Sequence, residues 1–511
     1  MRCSFQHIIL IIALFQCGSF TAFNQSIFNA NVVHEVRLTI EIENYWEILE
    51  TNYQNYLENN SKVYIPVDIE IDNEDLDSVG LRFKGHYSNT GFEGVKKPFK
   101  LDFNEFIKDQ TFNGIKKMNL QNFAADPSFL RDYTSYFIFK QFNIISPRAA
   151  YAKLYINDQY WGLYLIVEQI DDMFLEDNFK ISNGNLFKCV NDTKLEYNEE
   201  ELKADFELKT NKEENNWSDF FDLVSEINNP YAFDFAESIT GKFDLDSYYN
   251  CLIIDVLLNN WDSYHVNGRN FFLYQNPEDD KFYWIPWDYN LAFWDTNMNL
   301  FPKTNNKSNE LTPLVKSILT NQILKAKYIH LFCQRISDLN LNAIISEIDS
   351  KVKLIKPFVI ADTNKFYSNE AFIKNINEGV TVKMVRSGEL KDVYLPGITK
   401  SITDRRNFLF SEIANYPDGC YSENINNEYV SVHPTPIQSN AVIKVDLHNY
   451  EEQLTMHIID VSGRIIASTE IWNSTAPFIF SFEYFSDGNY LIHVESKDQR
   501  INLFKKIMII K

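Results

Sequence analysis

Strict alternation of apolar and polar positions marks both ends of the ordered chain, and helical spacing fills much of the middle. "VRLTIEI", "KVYIPVDIEID", "VGLRFKGHYSN" and "KKPFKLDF" alternate with period two and predict strands. "YWEILETNYQNYLENN" between the first two predicts a helix. Leu130, Tyr133 and Phe137 in "SFLRDYTSYFIFKQFNI" recur at helical spacing. "AAYAKLYINDQYWGLYLIVEQI" predicts a hairpin turning at Asn157-Asp158, followed by a short helix, "DDMFLEDNF", and the strands "GNLFKCV" and "DFELKT".

A strong helix follows in "FDLDSYYNCLIIDVLLNN", where Leu245, Tyr248, Tyr249, Leu252, Ile253, Val256 and Leu257 share a face. Next comes a second hairpin, "FFLY" returning as "KFYWI" after the turn "QNPEDD". The remainder up to 415 reads as helices, so 212–415 is expected to be a mostly helical block interrupted by that hairpin. "YPDGCYSENINNEY" is a polar linker, assigned to 416–429. From 430 to 511 the period returns to two, in short strands separated by turns, which suits a small immunoglobulin-like β-sandwich.

Composition narrows the class. A chain of 511 residues with 45% hydrophobic and 15% aromatic content supports more than one core. A net charge of -22 disfavours nucleic acid and anionic membranes as partners. The start, Arg2 followed by an apolar run from Ile8 to Phe15, reads as a signal peptide over 1–24, with a lipoprotein alternative at Cys17. No later segment is apolar enough to span a membrane, so no integral membrane segment is expected in the mature chain. Cys189, Cys251, Cys333 and Cys420 lack metal-ligand spacing, and Cys251 and Cys333 fall in apolar helical patterns that predict buried thiols.

Chemistry gathers in "NNWDSYHVNGRNFFLYQNPEDDKFYWIPWDYN", residues 259–290. Asp262 lies past the end of the strong helix, Asn270 enters the first strand of the hairpin, and Asp288 follows the second. The topology therefore brings an amide and two carboxylates to one edge. Phosphoryl transfer uses those groups: one carboxylate orients the attacking hydroxyl, while an amide and a second carboxylate hold a hard divalent ion. Turn and capping roles are the plainer reading of the same residues. Walker A, zinc-ligand and Gly-x-Ser-x-Gly signatures are absent from the sequence.

"NNWD…NFFLY…WIPWDYN" resembles the CotH family of atypical protein kinases. So do "LRFKGHYSN", "KKPFKLDF", "FLRDYTSYFIFKQF", "SPRAAYAKLYINDQYWGLYLIVEQID", "GNLFK" and "TPLVKSIL", in that order across 60–415. The resemblance implies an α+β, two-lobed, kinase-like fold. A mostly β nucleotide-binding lobe would occupy 25–211 and a mostly helical catalytic lobe 212–415. It further implies ATP with Mg²⁺ or Mn²⁺, a protein Ser/Thr acceptor, Asp262 as the catalytic group, and Asn270 and Asp288 on the metal. Asn267 has the commoner kinase spacing after Asp262 and stays an alternative to Asn270. Asn290 stands where the family usually carries a second acid, which weakens a second metal contact. Lys100, Glu168 and Lys188 are the nucleotide-binding candidates. Lys97 is the alternative to Lys100, Asp132 the acid on the following helix that would hold that lysine unless Arg131 itself reaches phosphate, and Lys209 a further basic candidate. A catalytically silent surface or matrix protein is the competing reading.

The tail resembles the C-terminal sorting domain of the type IX secretion system. Pro434, Pro436, Asp460, Gly463, Arg464, Gly488 and Tyr490 match its Pro-x-Pro start, Asp-x-x-Gly-Arg turn and Gly-x-Tyr strand. Thr435 departs from the usual residue between the prolines. This implies the type IX secretion machinery as a partner and a secreted or outer-surface location.

Overall fold

Seven strands close into a barrel, and their alternation is what fills it. They are β1 (Val33–Thr39), β2 (Ile65–Ile71), β3 (Glu74–Phe83), β4 (Phe99–Asp102), β5 (Lys117–Gln121), β6 (Ala149–Ile156) and β7 (Gln159–Glu168). Their order is β1-β2-β3-β4-β5-β7-β6, closed by a parallel pairing of β1 with β6. Val36, Leu38, Ile69, Leu81, Phe99, Leu101, Leu120, Leu154 and Ile166 form its interior core. The computed structural model describes residues 26–232, 234–295, 297–304, 310–386 and 389–413. It also describes 430–434, 436–445, 453–461, 464–472, 478–496 and 502–511. The signal-peptide and linker assignments lie outside the described residues, as does Gly463.

β6 and β7 are buried on both faces. Their inward residues complete the barrel, while Tyr151, Leu163, Leu165 and Val167 join a second and larger core. That core includes the helix Arg131–Gln141, the helix Leu245–Leu257 and the helices beyond residue 312. It also takes in a second antiparallel sheet, made of β8 (Leu186–Cys189), β9 (Phe206–Leu208), β10 (Phe271–Asn276) and β11 (Lys281–Pro286) in the order β11-β10-β8-β9. The architecture is α+β, with a barrel and mixed sheets.

One strand and one strand pair depart from the expectation. "KMNLQ" forms β5, and "VTVKMVR" pairs with "ELKDVYL" inside the stretch read as helical. That pair does alternate, but helices flank it on both sides. Cys251 is a buried free thiol as expected, whereas Cys333 is disulfide-bonded. In the tail, two antiparallel sheets contribute Val432, Ile443, Val445, Leu454, Met456, Ile492, Val494 and Ile507 to one core. The Asp460 carboxylate accepts the Arg464 N–H at 3.0 Å, so the matched turn residues close on each other.

Barrel and helices are tied by a buried ion pair. Lys96, in the loop from β3 to β4, donates to the Asp362 carboxylate at the end of the helix Leu341–Ala361, and both side chains are inaccessible to water. Asp362 also accepts the Leu163 N–H at 3.1 Å. Gly162, at φ +140, leaves room for this carboxylate: a Cβ there would fall 2.5 Å from it. Burial pulls the Lys96 ammonium down to about 8 against the attraction of Asp362. Removing one member strands the other charge, which costs about 3–5 kcal/mol. Lys96→Met should therefore lower the urea unfolding midpoint sharply, and Lys96→Met/Asp362→Leu should recover part of the loss. Equal loss in the single and double variants would mean the pair contributes nothing through its charges.

Candidate active site

The helix Leu245–Leu257 delivers the first carboxylate. Asp244 caps it by accepting the Ser247 N–H at 2.7 Å, and its C-terminal end turns out at Asn259, with φ 48. The loop beyond is stitched back to the helix. Asn260 donates its backbone N–H to the Asp255 carbonyl at 2.9 Å and its side chain to Asp255 Oδ1 at 2.8 Å. His265 Nε2 lies 3.2 Å from Asp255 Oδ2, with both side chains buried. Asp262 sits between these anchors.

Both asparagines hold Asp262. Asn267 Nδ2 donates to Oδ1 and Asn270 Nδ2 to Oδ2, each at 3.0 Å. Asn270 also donates to the Asp262 carbonyl at 2.8 Å. Arg269 Nε stands 3.7 Å from Oδ1, while its Nη2 pairs with Asp192 at 2.5 Å. The choice between Asn267 and Asn270 is thus not exclusive where Asp262 is concerned.

The hairpin sets the second carboxylate. β10 and β11 pair from Phe271↔Pro286 to Asn276↔Lys281, and the Asn270 carbonyl then accepts the Trp287 N–H at 3.1 Å. One residue later comes Asp288. Asn270 and Asp288 are both left-handed, at φ 66 and 57, a conformation that asparagine and aspartate tolerate better than most residues. The helix Arg131–Gln141 completes the floor. The Asp288 N–H donates to the Tyr136 hydroxyl at 3.1 Å, and the Tyr289 N–H donates to Asp132 Oδ1 at 2.8 Å. Arg131 is fully buried beneath, donating to the carbonyls of Ala292 and Phe293 at 2.7 and 2.8 Å. Its guanidinium is committed to holding the chain that follows Asp288. A narrow recess lined by Gln121, Asn122, Asp126, Asp132 and Asn290 opens beside this floor.

Asp132, Asp262 and Asp288 share one electrostatic environment. Burial pushes Asp262 up to about 6, and the charge of Asp288 adds to the rise against Arg269 and the two amides. Asp132 is driven well above the carboxylate range by burial and then by Asp288. Asp288 is raised by burial although Lys84 and Lys188 oppose it. Its Oδ1 is buried with no hydrogen-bond partner.

Lys84 and Lys188 are the cations that oppose this charge. Lys84 lies one residue past β3, with its Nζ 5.8 Å above the Trp287 ring. Burial lowers it to about 8, with Asp288 and Asp132 pulling the other way. Lys188 stands opposite Phe272 across the β8–β10 pairing and is lowered by burial. Lys84 was missed in the sequence, where "LRFKG" reads as a strand running into a turn. Its signal was position, the first residue past a barrel strand.

The other sequence candidates lie as follows. Lys100 is buried, donates to Asn119 Oδ1 at 3.0 Å and to Gln169, and feels the charge of Lys84 and Asp171. Lys97 donates to the Asn89 carbonyl at 2.8 Å. Glu168 is engaged by Arg148, through both its backbone N–H and its guanidinium. Lys209 pairs with Glu207 at 3.0 Å.

The model of the family described as CotH kinase protein matches residues 81–390, more than half of the chain. The chain belongs to the CotH kinase family. All the charged groups just described lie within the matched span. The chain is also 26% identical over 341 residues to the inner spore coat protein H of Bacillus subtilis (strain 168), covering 64% of this chain and 90% of that protein. Residues 431–511 match the secretion system C-terminal sorting domain. This CotH-family chain is therefore a secreted cargo that carries its own sorting module for the type IX machinery. Among the described residues no helix is long and apolar enough to cross a membrane.

The carboxylate cluster makes a prediction for the metal-free protein. Asp262 should titrate near pH 6, read from the ¹³C-carboxyl shift of labelled aspartate by difference against Asp262→Asn. Asp288→Asn should lower that value, because it removes a like charge. A value near 4, unchanged by Asp288→Asn, would contradict the shared environment.

Proposed function

We propose that this CotH-family protein is a secreted kinase that transfers the γ-phosphoryl group of ATP to protein Ser or Thr hydroxyls, using Mg²⁺ or Mn²⁺. The observation that carries the reading is the convergence of Asp132, Asp262 and Asp288 with Lys84 and Lys188, where a buried Asp288 Oδ1 has no partner. The donor set is all oxygen and anionic, which suits a hard divalent ion. Asp288 would hold the metal, with Asn270 beside it. When bound, the metal supplies neutralisation of the phosphate charge.

In this reading Asp262 orients the acceptor hydroxyl and takes its proton as the new O–P bond forms and ADP leaves. Asn267 and Asn270 fix its two oxygens, so little reorganisation is left for the reaction. Lys84 and Lys188 meet the phosphates. Lys100 and Glu168, the sequence candidates, stand on β4 and β7 of the barrel and support that wall. The kinase-like two-lobed description follows the same proposal, with 25–211 as the nucleotide lobe and 212–415 as the catalytic lobe. The tail, 430–511, is proposed as an immunoglobulin-like sandwich that acts as an address. A silent, structural role is the second reading, favoured by Asn290 at the second acidic position and by export away from cellular ATP.

Transfer from γ-³²P-ATP with Mn²⁺ or Mg²⁺ tests the first reading. Asp288→Ala should weaken metal-nucleotide binding and turnover together. Asp262→Asn should keep binding and lower turnover about 10²–10⁴-fold, the range for a lost general base. Lys84→Met should raise KM for ATP. No transfer and no nucleotide-induced thermal shift in the wild type would favour the silent reading.

Deleting 430–511 should leave nucleotide binding intact and hold the protein in the periplasm, as read by cell fractionation. Normal delivery of the truncated chain would remove the address role.

A further inference from the structure

The outer face of the sorting module carries a second set of metal-ligating side chains, far in sequence from the site above. Its four-stranded sheet runs Ile465–Trp472, Gln453–Ile459, Gly488–Ser496, Asn502–Ile509 in spatial order. Leu454, Met456, Ile458, Ile492 and Val494 point into the module's core. Period two then turns His457, His493 and Glu495 to the opposite face. His457 pairs directly across the strands with His493, and Glu495 lies one same-face step along.

The three side chains converge. His457 Nε2 is 3.0 Å from Glu495 Oε1, and His493 Nε2 is 3.7 Å from Glu495 Oε2. One ligand atom from each lies within 4.8 Å of the others. The two rings are 5.6 Å apart and inclined by 31°. His457 Nδ1 is 2.6 Å from Ser468 Oγ on the neighbouring strand, whose register places Ser468 opposite His457. That contact matters chemically. If Ser468 accepts the Nδ1 proton, the Nε2 lone pair faces Glu495, and two electron-rich atoms meet at 3.0 Å, close to the spacing of neighbouring ligands that share one ion to their side.

We propose that His457, His493 and Glu495 form a site for a zinc-class divalent cation on the exposed face of the sorting sheet. Two imidazole nitrogens and one carboxylate oxygen match the ligand preference of Zn²⁺, whereas Mg²⁺ and Ca²⁺ call for more oxygen ligands. The backbones are already fixed by the sheet ladder, so closing the ligands to about 2.0–2.2 Å from one ion needs only side-chain rotation. Ser468 is a positioning residue that sets the tautomer and aim of His457. The fourth coordination position faces solvent, open to water or to a side chain of another protein. Ligands on two adjacent strands would make the ion a clip across the centre of the sheet.

The test is titration of the full chain with ZnCl₂ by calorimetry, with Co²⁺ absorption as a reporter of tetrahedral nitrogen ligation. Wild type should bind one more tight Zn²⁺ than His493→Ala or His457→Ala. Asp288→Ala should keep that equivalent, which separates this site from the kinase-like one. Glu495→Gln keeps size and hydrogen bonding and should weaken binding at least tenfold. Ser468→Ala should weaken it about tenfold, the lower end for loss of a group that orients a ligand. If either alanine variant folds poorly, the Zn²⁺ affinity of Glu495→Gln decides between the two outcomes. Unchanged Zn²⁺ stoichiometry and affinity in Glu495→Gln and His493→Ala would overturn the proposal and leave a hydrogen-bonded surface cluster. Asp288→Ala/His493→Ala binding as much Zn²⁺ as Asp288→Ala alone would overturn it equally.

Discussion

Burying like charges together is the constraint on which this structure turns. Moving a single carboxylate out of water costs several kcal/mol after relaxation. Here Asp132, Asp262 and Asp288 share one partly dry space, and all three are shifted toward the neutral form. Lys84 and Lys188 are shifted the opposite way, so burial outweighs mutual attraction on both sides. A divalent cation and a polyphosphate would reverse both trends at once, by supplying positive charge to the acids and negative charge to the amines. Buried groups shifted toward neutrality in this way are what the proposed binding role would use.

Several layers of structure hold the cluster in place. Arg131 lies deepest, binding the carbonyls that follow Asp288, while Tyr136 and Asp132 hold the backbone of 288 and 289. The hairpin register fixes Asn270 against Trp287, and the two asparagines fix Asp262. The barrel supplies Lys84 at the end of β3, held through its N–H by the Pro98 carbonyl at 3.0 Å. Lys96 and Asp362 add a buried ion pair between the barrel, which carries Lys84, and the helices, while Lys188 stands on the same sheet as the Asp288 hairpin.

Local pattern revealed part of this in the sequence. The barrel strands with clean alternation were legible, as were the helix 245–257 and the hairpin that follows it. The convergence of Asp262, Asn270 and Asp288 could be read because all three lie within one short stretch, where turn and register fix their neighbours. What could not be read depends on distance along the chain. Lys96 and Asp362 are 266 residues apart, and nothing local marks either one. Lys84 looks like any lysine at a strand end until the barrel closes. β5 escaped notice because "KMNLQ" is too short and polar to alternate convincingly. Asn267 and Asn270 are alternatives for the metal, and the hold both have on Asp262, one on each oxygen, depends on how the loop folds. Cys333 looked like a core thiol because burial and disulfide bonding produce the same apolar surroundings.

The most direct test is where a metal sits. Crystals grown with MnCl₂ and a non-hydrolysable ATP analogue, measured at the manganese absorption edge, would locate the ion by its anomalous signal. A peak within direct coordination distance of an Asp288 carboxylate oxygen is expected, with the analogue's phosphates reaching Lys84 and Lys188. An ordered nucleotide elsewhere, or a manganese peak that ignores Asp288, would contradict it.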